Sequence, residues 1–173
     1  MRAPSQRAPK EHNMLVDFKT LPETSRVWIY QANRSFSDEE MMDLKGRLDA
    51  FITQWTAHGS QLKAGYDIPY KRFIVIGLDQ AQASASGCSI DASVHFIQSL
   101  EQRFGVELLD KMNVSYKQGE FIAYKPLNDF KKMAKDKAVS GNTIVFNNLV
   151  TNKQEYLSHW EVPAAESWHS RFL

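Results

Sequence analysis

The order in which hydrophobic periodicities alternate along the chain predicts an α+β domain. Three observations carry that expectation. Apolar and aromatic side chains run unbroken from Val27 to Tyr30; a 3.6-residue periodicity follows behind a helix-start signature; and two further strand-like segments, separated by a proline, lead into a second amphipathic helix.

The first run, "RVWIYQA", has no helix-period polar gaps and reads as a strand buried on both faces. Ser37 with Glu40 three residues later is a capping-box pattern, and Met41, Leu44, Leu48, Phe51, Ile52 and Trp55 then recur at three- and four-residue steps. This predicts a long helix ended at "HGS" by Gly59 in the left-handed conformation. Segments 61–67 and 72–78 read as strands broken at Ile68-Pro69-Tyr70, because proline donates nothing to a sheet ladder. The stretch "QAQASASG" then delivers the chain to a helix from Ile90 to Phe104, with Val94, Ile97, Leu100 and Phe104 on one face and Gly105 as its stop.

Further on, 113–124 is a strand candidate with a hairpin around Gln118-Gly119, and Pro126 suits the first position of a third helix running to about Lys137. A last strand is expected within 142–150, followed by an aromatic tail whose Trp160, Trp168 and Phe172 favour packing on the body. The order β-α-β-β-α-β matches a ferredoxin-like split β-α-β core, with an extra helix, strand and C-terminal tail.

With 173 residues and 43% hydrophobic content, the chain suits one domain able to bury a real core. That domain is expected over 14–173, after a basic, proline-bearing leader at 1–13 that has no apolar h-region and reads as disordered; Met14 is a candidate start residue. One cysteine excludes an intrachain disulfide and suits a reducing cytoplasm. No apolar run approaches the ~18 residues that a membrane helix needs. A net charge of +1 supplies no global field for nucleic acid. The lysines at 117, 125, 131, 132, 135 and 137, interleaved with aromatics, could bind RNA or a phosphorylated ligand, but a solvated face, that of the third helix for 131 to 137, is the favoured reading and a nucleic-acid partner is disfavoured.

Catalytic motifs are sparse. A phosphate-cradling loop would end in Gly-Lys-Ser/Thr, yet none of the eight glycines precedes a lysine. Metal-binding histidine pairs at helical spacing are absent from the sequence, so neither a metal nor a cofactor is assigned.

The strings "RVWIYQANRSF", "WTAHG", "RFIVIGLDQ", "SGCSIDASVHFI", "LLDKMNV", "FKKMAK", "NTIVFNNLV" and "ESWHSRF" resemble a family of small bacterial proteins commonly labelled "ABC transporter ATPase". The resemblance spans about 14–173 and implies ATP hydrolysis linked to ABC transport. Of the motifs such chemistry uses, the sequence offers only "FIVIGLD", an apolar strand ending in Asp79, so no catalytic residue is carried over.

Residues 84–96, "SASGCSIDASVHF", hold the candidate site. A helix N-terminus following a small-residue loop favours an anionic group, and Asp79, Ser86, Gly87, Ser89, Asp91 and His95 are the candidate ligand-binding residues. The helix is expected to be capped by Ser89 or Asp91, with Gly87 in an unusual backbone angle and Cys88 packed as a small apolar residue. Asp91 and His95 share a polar face that reads as solvated. The expected function is an accessory or binding protein taking a small anionic ligand or a protein partner. Its pocket is expected between the 79–91 loop, the end of the first helix and the C-terminal tail. The alternative is a thiol enzyme with Cys88 as nucleophile, His58 as base and the helix terminus as oxyanion site. A helix terminus contributes ~0.3–1 kcal/mol, too little to activate a thiol alone, and Asp91 opposes it, so that alternative requires a nearby cation.

Overall fold

A computed structural model of the protein describes residues 14–173; the expected leader at 1–13 lies outside the described residues. In chain order the elements are β1 (Arg26–Gln31), α1 (Asp38–Gln54), β2 (Thr56–Ala57), β3 (Ser60–Gln61), β4 (Lys63–Asp67), β5 (Phe73–Asp79) and α2 (Gly87–Phe104), followed by β6 (Asn113–Gln118), β7 (Phe121–Pro126), α3 (Leu127–Lys135), β8 (Ile144–Phe146), α4 (Lys153–His159) and β9 (Glu161–Pro163). The class is α+β. Among the described residues no helix is long and apolar enough to cross a membrane.

The core follows from the two-residue period of β5. Ile74, Ile76 and Leu78 face α1 and α2, where they meet Leu44, Leu48, Ile52, Ile97 and Leu100. Phe73 and Val75 face the opposite way, into a second cluster with Phe18, Val27, Phe146, Tyr156 and Trp160. All six residues from Phe73 to Leu78 are buried, which is why this strand reads as a continuous apolar run rather than an alternating one. Each large aliphatic side chain so buried contributes roughly 1.5–3 kcal/mol of transfer free energy.

The antiparallel order β1-β5-β4 forms the first sheet. The segment 16–21 crosses its outer face, and this crossing explains the Gly65–Gly77 pair in adjacent strands. A Cβ on Gly65 would lie 2.4 Å from the Val16 carbonyl oxygen, and one on Gly77 2.7 Å from Leu21 Cδ1. The crossing is held from the far side by Lys153, buried in α4, whose Nζ donates to the carbonyls of Phe18, Lys19 and Leu21 at 3.1, 3.0 and 2.7 Å.

The β-α-β-β-α-β order is present, yet its last strand does not continue the first sheet. β6 instead joins β7, β8 and β9 in a second sheet of order β7-β6-β8-β9. A third cluster, with Val114, Tyr116, Phe130, Val145 and Ala164, packs that sheet against α3 and the C-terminal tail. The tail therefore packs on the body as its aromatics predict, with Trp160 and His169 buried. The lysines of α3 are exposed opposite the buried Phe130, as expected for a solvated helix face.

Several local expectations are corrected. α1 has the predicted capping box at Ser37 and Glu40 but ends at Gln54, because buried Trp55 turns into the extended conformation as its C-cap. Gly59 belongs instead to the β2–β3 hairpin, where His58 and Gly59 have φ of 50° and 79°. Positive φ at both central residues is the geometry that matches the twist of a two-residue hairpin. Pro126 is the N-cap of α3 rather than its first residue, and the helix stops at Lys135. Gly105, by contrast, ends α2 with φ 61° and ψ 45°, as its position predicts.

Candidate functional site

The departure of β6 leaves one edge of β1 without a partner strand. β1 alternates: Ala32 N–H donates to Arg72 O on the β5 side, whereas Val27 N–H donates the other way, to Thr151 O, both at 2.9 Å. By that alternation the main-chain groups of Ile29 and Gln31 also face away from β5. They face a cleft of about 430 Å³ that follows β1 from Arg26 to Gln31. Ile90 and Val94 of α2, Leu108 to Lys111, Asn113 to Ser115 of β6, Phe146 of β8, Asn148 to Thr151 and the tail residues Trp168 and His169 line the remainder. The volume lies within the usual range for small-molecule sites.

Both ends of this edge are fixed. At the N-terminal end, Val27 N–H bonds Thr151 O and Lys153 N–H bonds Ser25 O, each at 2.9 Å. At the other end the buried Gln31 side chain replaces a strand ladder: Nε2 donates to Asn113 O at 2.8 Å, and Oε1 accepts from Ser115 Oγ at 2.7 Å and Asn148 Nδ2 at 2.9 Å. Asn148 is itself oriented by Trp160 Nε1, which donates to its Oδ1 at 2.9 Å. A glutamine side chain thus holds β6 at arm's length from β1, and the cleft is the space this creates.

The polar groups around the cleft are few. The Arg26 guanidinium sits 4.5 Å from the Trp28 ring centroid, and among the described residues neither Arg26 nor Lys111 forms an ion pair. Asp110 Oδ1 accepts the Met112 N–H at 2.8 Å. Burial pushes the Tyr30 phenol above its ordinary range, so it stays neutral. His169, 1% exposed, is stacked on Trp168 at 3.9 Å, and its Nδ1 is 2.7 Å from Ser167 Oγ. Burial pushes its imidazole down to about 4, which keeps this wall of the cleft uncharged at neutral pH.

Four of the sequence-predicted residues fall elsewhere, in a depression of about 420 Å³ beside the start of α2. Cys88 and His58 both line it, together with Ser86, Ser89, Phe51 and Trp55. Cys88 is exposed rather than packed as expected, because it occupies the second position of α2 on the helix's outer side. Ser86, not Ser89 or Asp91, is the N-cap; its Oγ accepts from Ser89 N–H at 3.1 Å and Ser89 Oγ accepts from Ser86 N–H at 2.7 Å. Gly87 is therefore the first helical residue, without a positive φ. Ser86 and Ser89, both candidate ligand-binding residues, are thus engaged in closing their own helix.

Nor do the remaining candidates converge on the thiol. Asp79 lies 3.7 Å from Lys63 Nζ and accepts the Ala81 N–H at 3.0 Å. Asp91 and His95 are exposed on α2, as a solvated face predicts. The pocket expected between loop, first helix and tail is thus divided: the end of α1 meets Cys88 in the depression, whereas α2 and the tail meet in the cleft. Gln31, Arg26, Lys111 and His169 were absent from the sequence-based candidates. The one available signal was a glutamine ending an otherwise apolar strand. Among the described residues no group of three or more His, Cys, Asp or Glu side chains is arranged to hold a metal ion. Compared with known protein families, curated proteins and solved structures, the chain matches none.

Proposed function

We propose that the protein is a non-catalytic binding protein, working in the cytoplasm as its single unpaired cysteine suggests, that holds a small ligand with an apolar body and an anionic group. The cleft between β1 and β6 supports this reading best. Its walls are largely apolar side chains, and two cations without ion-pair partners stand among them, so an amphipathic anion gains burial and charge neutralisation together. The loop at 79–91 offers less, since its serines cap α2 and Asp79 is already paired.

Decanoate is a suitable probe. Titrated into labelled protein, it is expected to move the amide resonances of Ile29, Val94 and Leu109 and the indole of Trp168 together, with one saturating affinity. Shifts confined to Gly87–Asp91, or none at all, would count against the cleft. The shared depression of Cys88 and His58 favours thiol chemistry as the second reading. It predicts alkylation of Cys88 markedly faster than that of a free thiol, with the rate dependent on His58.

A further inference from the structure

Resting on that reading, we infer that the ligand is an N-acyl amino acid: an apolar acyl chain joined through a secondary amide to a carboxylate. The amide is the new element, and Ile29 carries it. Ile29 lies midway along the open edge of β1, between the Thr151 contact at Val27 and the side-chain bridge at Gln31. Its N–H and C=O face the cleft, and neither has a hydrogen-bond partner among the described residues.

A main-chain donor and acceptor side by side on a half-buried strand edge carry a standing cost unless something pairs with them. The complement is the N–H and carbonyl-type oxygen flanking a single Cα in the extended conformation, which an acylated amino acid supplies through its amide N–H and its carboxylate. The ligand's amide N–H donates to Ile29 O, and Ile29 N–H donates to an oxygen of the ligand's carboxylate, as two paired residues do in an antiparallel ladder. The acyl chain then lies along Ile90, Val94 and Leu108, and the second carboxylate oxygen is left for Arg26 or Lys111, which also line the cleft. A fatty acid satisfies the walls and the cations but has no donor for Ile29 O.

The test is a matched series: N-octanoylglycine, N-octanoylsarcosine, which replaces the amide hydrogen with a methyl, and octanoate. N-octanoylglycine is expected to bind about tenfold more tightly than either, the range a single buried hydrogen bond spans. Bound N-octanoylglycine is also expected to slow hydrogen exchange at the Ile29 amide relative to Tyr30, whose N–H already faces β5. Equal affinity for the sarcosine and glycine compounds, with unprotected Ile29, overturns the amide inference while leaving the binding function intact. Failure of all three, and of decanoate, to perturb the cleft removes the binding function itself.

Discussion

Ser115 Oγ donates to Gln31 Oε1 at 2.7 Å, linking β6 to β1 through a side chain where a continuous sheet would have main-chain bonds. Gln31 uses both ends of its amide, so the distance between the two sheets is set by the length of one side chain. That spacing is what opens the cleft.

Replacing the amide tests this directly. Gln31→Leu keeps the bulk but leaves Asn113 O, Ser115 Oγ and Asn148 Nδ2 without their shared partner. An orphaned buried polar group costs about 1–3 kcal/mol, and partial hydration limits the sum, so a loss of roughly 2–3 kcal/mol is expected in urea unfolding. A loss below about 0.5 kcal/mol, the scale of a neutral surface change, would mean that the bridge is not what holds the sheets.

Lys153 makes a comparable prediction for the N-terminal crossing. Lys153→Met removes three hydrogen bonds to Phe18, Lys19 and Leu21 carbonyls and is expected to cost about 2–3 kcal/mol. Hydrogen exchange is expected to accelerate at Val16, whose N–H bonds Ala64 O, more than at β5. Uniform acceleration across both would contradict a local clasp.

His169 gives a pH signature. Its imidazole titrates near 4 in the folded protein against an ordinary value of 6.5, so the unfolded chain takes up a proton first as pH falls. The associated stability is fully present above about pH 6.5 and is lost progressively as pH drops towards 4, an effect of about 1–3 kcal/mol. His169→Gln is therefore expected to flatten the dependence of unfolding free energy on pH between 6.5 and 4.5. Identical slopes in the two proteins would place the imidazole in water.

Much of the fold was legible because it is local. The capping box at Ser37 and Glu40, the buried run of β5 and the left-handed Gly105 are each written within a few residues. Where two local solutions competed, the sequence misled: Ser86 and Ser89 are both good caps, and Gly59 suits a helix end as well as a hairpin. The contact that decided the first helix end is long-range, since Trp55 is buried and its Nε1 donates to Ser89 O at 2.8 Å, thirty-four residues away. The cleft was illegible for the same reason. Its floor depends on β6 leaving the first sheet, which is decided by β8, β9 and Asn148, far along the chain.

The depression at Cys88 and the cleft at β1 make opposite demands on two substitutions. Val94 lines the cleft from α2 and Cys88 lies exposed outside it, so tryptophan at either position fills one space and spares the other. The most direct test is calorimetric titration of decanoate into Val94→Trp and Cys88→Trp. Binding lost in Val94→Trp and unchanged in Cys88→Trp is the result this account predicts; binding retained in Val94→Trp, or lost in Cys88→Trp, would contradict it.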